Sequence, residues 1–344
     1  MRPVKLPANQ FRRFYRGGAA IAGFRGAAAA GEYVPEDWVG STTTAYGGDS
    51  EGRSRLPDSR LLRDALAADP GLYLGRAHVE RFGADSALLV KLLDAGQRLP
   101  VHCHPSREFA RRHLDCPYGK TEAWVITEVR GTAPAVHLGF AREVDAATLA
   151  GWVDRQETER LLAALHRLPV VPGDAVLVPA GVPHAIGEGV FLVELQEPTD
   201  FSVLLEWDGF AVDGRADGHL GLGFDVALGC VDRSGWGQEA LARLCGGRPG
   251  GRGARPGVDL LLPPEADPFF RAERLRPAAG PAPLDQGFSI LVVLEGVGRL
   301  DTEGGGALQL RRGDTVLVPY SAGPGAVSGR VEAIRCLPPD PRLR

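Results

Sequence analysis

Two stretches constrain this chain more than any others. The first reads Gly96-Gln97-Arg98-Leu99-Pro100-Val101-His102-Cys103-His104-Pro105 and continues, past a short helical pattern, to Gly119-Lys120-Thr121-Glu122. The second reads Gly173-Asp174-Ala175-Val176-Leu177-Val178-Pro179-Ala180-Gly181-Val182-Pro183-His184. His102 and His104 alternate in an extended segment, so both project from one face. Glu122 and His184 arrive from other strand-like segments. One such histidine alone would be an ordinary core residue. Three at these spacings, with a carboxylate, suit a borderline divalent metal such as zinc, iron, manganese or nickel. Cys103 falls between two ligands, faces the other side of its strand and reads as core.

The second stretch also begins an internal repeat. Gly173-Asp174-Ala175-Val176-Leu177-Val178-Pro179 is matched by Gly313-Asp314-Thr315-Val316-Leu317-Val318-Pro319. Each copy is a strand that enters from a Gly-Asp turn and leaves at a proline. Where the first copy has His184, the second has Pro324. The C-terminal part also lacks a His-x-His element. The chain therefore reads as mainly β, with two β-barrel units of which the first alone can hold metal.

Other segments fit this frame. Leu61, Leu62, Leu66 and Ala67 give an amphipathic helix over 58–70, and Ser106–Leu114 has an acidic start and a basic end, as the helix dipole prefers. Asp145–Leu168 reads as one or two helices. Strands are expected at Ala87–Leu93, Ala123–Val129, Ala133–Leu138, Ala175–Val178, Val190–Leu195, Phe201–Trp207, Phe288–Leu294, Ala307–Leu310 and Thr315–Val318. Phe14–Gly18 and Glu36–Ser41 read as short strands, and Glu295–Gly298 as a turn. Gly246–Gly257 is a low-complexity loop. Two units follow: residues 1–245, with a helical insertion at about 141–168, and residues 258–344. Lys91 is unusual inside an apolar run and suggests a cation aimed into a pocket. Trp38 reads as a core anchor that could also border substrate.

The chain's 344 residues carry 39 Lys+Arg against 43 Asp+Glu, a net charge of −4, which gives no electrostatic case for nucleic acid or a membrane surface. No apolar run is long enough for a transmembrane helix and no signal peptide is evident. Cys103, Cys116, Cys230, Cys245 and Cys336 form no CxxC, which points to a reducing, cytoplasmic setting.

With these residues in view, the chain resembles the cupin superfamily. A glycine, five residues and His-x-His form one cupin element (Gly96, His102, His104). A glycine, five residues and Pro-x-Gly-x-x-His form the other (Gly173, Pro179, Gly181, His184). More narrowly it resembles the type I phosphomannose isomerases of the short bacterial kind. Leu89–Ala95, Val101-x-x-His104-Pro105, Gly119–Trp124, Val178–Gly187 and Glu194-x-Gln196 with Asp200 carry that likeness. It implies a double cupin fold and a zinc-dependent interconversion of mannose 6-phosphate and fructose 6-phosphate through a metal-stabilised enediolate. It also implies a metal held by His102, His104, Glu122 and His184, a substrate contact from Lys91, to which Trp38 is added as a candidate bordering residue, and catalytic roles for Lys120 and Glu194. Three departures stand out. His102 occupies the family's glutamine position, Pro100 that of a phosphate-holding serine, and Leu204 that of an arginine. The substrate is therefore expected to be mannose 6-phosphate or a related sugar, phosphorylated or not. Alternation of Ser202, Leu204 and Glu206 on one strand face adds Glu206 as a candidate base. The competing expectations are a cupin metal-dependent oxidoreductase or dioxygenase, and a sugar-binding cupin without catalysis. The cofactor is one divalent metal, zinc first, with iron, manganese, nickel or cobalt as alternatives. The partner is a small sugar or sugar phosphate, and the assembly a monomer or homodimer.

Overall fold

The computed structural model describes residues 1–246 and 255–342. The chain is mainly β, and its strands gather into three sheets. The first holds β2 (Glu36–Val39), β3 (Leu89–Asp94), β5 (Glu122–Val129), β8 (Ala175–Val178), β10 (Val190–Gln196) and β12 (Cys245–Gly246), in the order β12-β8-β5-β10-β3-β2. The second holds β4 (His102–Cys103), β6 (Ala135–Phe140), β7 (Leu165–Pro169), β9 (His184–Ile186) and β11 (Val203–Leu204), in the order β11-β4-β9-β6-β7. The third is built on the path β1-β18-β16-β19-β14-β13, with β15 on β19 and β17 on β16. Its members are β1 (Val4–Lys5), β13 (Val258–Leu260), β14 (Arg271–Leu275), β15 (Ala282–Leu284), β16 (Ser289–Thr302), β17 (Gly306–Arg311), β18 (Thr315–Val318) and β19 (Gly325–Leu337). All named strand pairs are antiparallel.

The repeat is structural as well as sequential. Gly173 and Gly313 both take a positive φ, +100° and +87°, where a Cβ is disfavoured. Each aspartate then closes its turn: Asp174 Oδ2 accepts from the Val171 amide at 2.9 Å, and Asp314 Oδ2 from the Arg311 amide at 2.8 Å. Each turn docks in the same way on the neighbouring strand. Gly173 donates to Ile126 of β5 at 2.8 Å, and Gly313 to Val293 of β16 at 3.0 Å. The mainly β architecture with two related β units is thus the observed one. The N-terminal strand β1 crosses over to pair with β18.

β3 and β10 have no polar outer face. Every residue of both strands is buried, Lys91 and Glu194 included. Such near-continuous apolar runs mark strands covered on both sides, here by the main hydrophobic core, which includes Trp124, Leu92, Val193 and Phe191. The expected helices form as Leu62–Ala68 and Arg107–His113, the second capped by Ser106, whose side chain accepts from the Phe109 amide.

Several local expectations change. The Asp145–Leu168 segment gives two helices, Ala146–Asp154 and Thr158–Ala164, but Leu165–Leu168 belong to β7 because they pair with β6. Phe14–Gly18 forms no strand. Glu295–Gly298 is not a turn: β16 runs through it, absorbing the irregularity as a register shift against β19 between Val293 and Glu295. Phe201–Trp207 is extended only at Val203–Leu204. The Gly246–Gly257 loop lies outside the described residues for 247–254.

Candidate metal centre

His102 and His184 sit directly opposite each other in register on β4 and β9, and Leu204 of β11 faces His102 from the other side. His104 follows β4, and Glu122 opens β5 in the first sheet. Two sheets thus contribute: imidazoles come from the second, the carboxylate from the first. The ligand-type nitrogens of His102, His104 and His184 lie within 4.8 Å of one another. Their ring centroids are 4.2–4.9 Å apart. Glu122 Oε2 lies 3.0 Å from His104 Nε2, and Oε1 lies 3.4 Å from His184 Nε2. All four side chains are buried.

The second nitrogen of each ring fixes the tautomer. Nδ1 of His102 meets the Pro100 carbonyl at 2.8 Å, that of His104 the Phe201 carbonyl at 2.7 Å, and that of His184 the Val182 carbonyl at 2.8 Å. A carbonyl can only accept, so each Nδ1 carries the proton and each Nε2 presents a lone pair. Burial, and then the neighbouring His184, His104 and Lys120, keep His102 far below the usual imidazole range. Burial and the Lys120 charge bring His104 down to about 3. Burial opposes ionisation of Glu122, but Lys120 and His104 outweigh it and hold the carboxyl well below its ordinary value. Neutral imidazoles and an ionised carboxylate are the states a divalent cation takes.

Two atoms of this group, Glu122 Oε2 and His184 Nε2, are buried with no hydrogen-bond partner. Buried polar atoms in folded proteins are rarely left unsatisfied. An unpartnered imidazole lone pair on His184 and an anionic Glu122 oxygen, both facing further Nε2 atoms, fit a cation between them. The site is therefore a candidate for one divalent metal.

Lys120 Nζ stands at the edge of the cluster, 3.1 Å from Glu122 Oε2 and 3.0 Å from His104 Nε2. A cavity opens beside it, lined by His102, Lys120, Glu122, Lys91 and Glu194 among others. Lys91 is not a strand-end lysine. It is 2 % exposed, and its Nζ lies 3.4 Å from Glu194, 3.8 Å from Glu36 and 3.9 Å from Asp200. Register explains the first contact, because Glu194 sits opposite Lys91 in the β3–β10 ladder. Burial, with Glu122 and Glu36 nearby and Lys91 and Lys120 opposing, raises the Glu194 carboxyl to about 7. Its Oε1 has no hydrogen-bond partner.

Two expected positions fall elsewhere. Glu206 does not share the face of Leu204. The amides of Leu205 and Glu206 both donate to the Val101 carbonyl, at 2.9 and 3.0 Å, so two residues oppose one and the alternation resets. The Glu206 carboxylate instead accepts from both terminal nitrogens of Arg98, at 2.7 and 2.5 Å, and from the Val101 amide at 2.8 Å. Trp38 is fully buried and does not reach the cavity. It lies opposite Lys91 in the β2–β3 ladder, and the lysine ammonium covers its ring at 4.7 Å. Its Nε1 donates to Glu36 at 2.5 Å. Cys103 is buried as expected, with its Sγ 3.5 Å from that of Cys230.

Arg13 and Glu36 are cavity residues that sequence reasoning missed. Arg13 grips Asp200 with both terminal nitrogens, at 3.0 and 3.1 Å, and Glu36 accepts from the Tyr15 hydroxyl. The Glu36-x-Trp38 spacing was the available signal, since it puts both on one strand face.

Comparison with known proteins agrees with this geometry. The chain is 29% identical over 253 residues to the mannose-6-phosphate isomerase ManA of Bacillus subtilis (strain 168), covering 72% of this chain and 73% of that one. It is 32% identical over 133 residues to a mannose-6-phosphate isomerase of Streptococcus mutans, covering 36% and 38%. No family model matches. Among solved structures, the mannose 6-phosphate isomerase of Bacillus subtilis superposes with a TM-score of 0.73 at 22% identity, covering 98% of this chain and 99% of that chain. A mannose 6-phosphate isomerase bound with zinc and yttrium superposes with a TM-score of 0.72 at 17% identity, covering 98% and 100%. The chain resembles the type I phosphomannose isomerases in sequence over most of its length and in fold over nearly all of it.

Proposed function

We propose that this protein is a metal-dependent aldose–ketose isomerase related in activity to the mannose-6-phosphate isomerases it resembles. The observation that carries the reading is the position of a three-imidazole, one-carboxylate cluster beside a cavity that also holds a second buried carboxyl, Glu194, whose oxygen meets Lys91 at ion-pair distance without a formed hydrogen bond. We assign the metal to His102, His104, Glu122 and His184. Zinc is the proposed ion, supported by the donor set and by the zinc-bound neighbour. When bound, it supplies positive charge for the two neighbouring oxygens of the sugar between which the carbonyl moves.

The residues around it divide the remaining work. An aldose–ketose conversion shuttles a proton between C1 and C2, so it needs a base near both carbons with a pKa close to working pH. Glu194 is the proposed base: it lines the cavity, its Oε1 has Lys91 at ion-pair distance but no formed hydrogen bond, and its environment favours a carboxyl that both takes and releases a proton near neutrality. Lys120 is the proposed donor to a substrate oxygen. A cation bound by Glu122 and His104 would take over the atoms that Lys120 now contacts, leaving its ammonium to the sugar. Lys91 holds Glu194 in place from across the ladder and keeps that wall of the cavity rigid. Burial of the whole set excludes water, which strengthens each electrostatic contact.

Two further proposals accompany this reading. The chain divides into units 1–245 and 258–344, supported by the repeated Gly-Asp turns and by a third sheet that, β1 apart, is built from residues 258–337. A cytoplasmic location is supported by five free thiols. No helix among the described residues is long and apolar enough to cross a membrane.

The test is proton exchange in deuterated water. Metal-loaded protein incubated with free and phosphorylated aldoses is expected to place deuterium at C1 or C2, read by NMR. Absence of exchange with every sugar, in protein shown to carry metal, overturns the isomerase reading.

A further inference from the structure

The charges lining the cavity bear on which aldose it takes, and they argue against a phosphorylated one. Among the lining residues, the cations are Arg13, Lys91 and Lys120. None is unengaged. Arg13 is committed to Asp200 through both terminal nitrogens and lies 3.6 Å from Glu36. Lys91 is within 4 Å of Glu194, Glu36 and Asp200. Lys120 stands at the metal-ligand end, where a sugar's reacting oxygens would lie rather than its far end. Four carboxylates, Glu36, Glu122, Glu194 and Asp200, face these three cations.

The other wall is apolar. Leu99, Pro100, Ile186 and Leu204 line the cavity beside His102, and Leu204 is held there by its register opposite that histidine. The cation behind this wall, Arg98, is turned away: its guanidinium donates to the Glu206 carboxylate and to the Leu99 carbonyl. A phosphate dianion entering the cavity would meet either this apolar wall or ammonium and guanidinium groups already neutralised by buried carboxylates. At this far end, away from the metal ligands and Lys120, an anion moved out of water finds no free counter-charge to offset its desolvation cost. A hydroxyl or an alkyl carbon at the same place carries no such cost.

We propose that the substrate of this site is an unphosphorylated aldose whose terminal carbon packs against the Pro100–Leu204 wall. This rests on the isomerase reading and narrows it to neutral sugars, with Leu204 as a specificity-determining residue.

The experiment compares D-mannose, D-lyxose and D-mannose 6-phosphate on the metal-loaded full chain. Deuterium incorporation and turnover are measured for each, and affinities are measured independently by calorimetry. A neutral aldose is expected to exceed mannose 6-phosphate by at least about tenfold in kcat/KM, a difference in the range that pocket contacts supply. It is also expected to bind more tightly. The Leu204→Arg variant, checked for metal content and folding, is expected to move the ratio at least about tenfold toward the phosphorylated sugar, because it adds a cation to the apolar wall. Equal or faster reaction of mannose 6-phosphate in the wild-type chain overturns the neutral-sugar inference and leaves the isomerase reading standing. Exchange with none of the three sugars removes the isomerase reading itself.

Discussion

Replacing Glu206 separates a structural carboxylate from a catalytic one. In the folded chain this carboxylate is buried and takes three hydrogen bonds, two from Arg98 and one from the Val101 amide. Glu206→Ala leaves the Val101 amide buried without an acceptor, which costs about 1–3 kcal/mol. Arg98 is 26% exposed and can turn to water, so its lost ion pair adds only about 1 kcal/mol. The sum, about 2–4 kcal/mol, is a substantial fraction of a typical folding free energy. Glu206→Gln keeps an oxygen for the amide and should lose about half as much. Urea unfolding followed by tryptophan fluorescence reads both variants, with the midpoint falling at unchanged slope. Proton exchange per folded molecule should stay within about twofold of wild type, because the carboxylate lies outside the cavity. A Glu206→Gln protein with wild-type stability and exchange reduced by about a hundredfold or more would refute this reasoning, since that is the signature of a general base.

Other perturbations follow from the same geometry. Glu194→Gln should lower exchange by about 10²–10⁴-fold with metal content unchanged, as measured by NMR and metal analysis. A base works deprotonated, so kcat/KM of the wild type should rise with pH through a limb near pH 7, where burial, Glu122 and Glu36 place this carboxyl, and Glu194→Gln should lack that limb. Lys91→Met strands Glu194, Glu36 and Asp200 around an apolar side chain and should cost about 3–5 kcal/mol by urea unfolding. Chelation should lower the thermal midpoint, and zinc restored at about a thousandfold above its Kd should return about 4 kcal/mol, while His184→Ala should lose bound metal by elemental analysis.

The metal cluster was legible in the sequence because its geometry is local. His102 and His104 alternate on one strand, and His184 follows a Gly-Asp turn whose form the second copy repeats. Such features depend on strand period and turn chemistry, which a one-dimensional reading captures. The same rule misled at Glu206, where it was carried past the end of a strand. Nothing in Phe201–Trp207 announces that two successive amides bond one carbonyl, and one extra residue is enough to turn a side chain from the cavity to the far side. Trp38 is the core anchor that the sequence suggested, and it does not border the cavity because Lys91, opposite it in the β2–β3 register, covers its ring.

The charge network shows why the cavity was less legible than the metal site. Arg13, Glu36, Lys91 and the Glu194–Asp200 pair come from four separate segments, and no single motif joins all four. Their positions are set by β-ladder register and by loops that close over the sheet. Yet they are mutually dependent. Burial pushes the carboxyls of Glu36 and Asp200 up, but Lys91 and Arg13 outweigh it and hold both below their ordinary range. The same burial works against the ammonium of Lys91, and Glu194, Glu36 and Asp200 keep it charged. Each ion is stable in the interior only because the others are present, so removing one partner should be far more damaging than its single contact suggests. Glu194 is the exception within the set, the one carboxyl whose pKa is raised toward neutrality. A network that holds four charged groups fixed around one carboxyl that titrates near neutrality suits the proposed role of Glu194 as a base beside a metal. It also takes up Arg13 and Lys91, two of the cations that line the cavity.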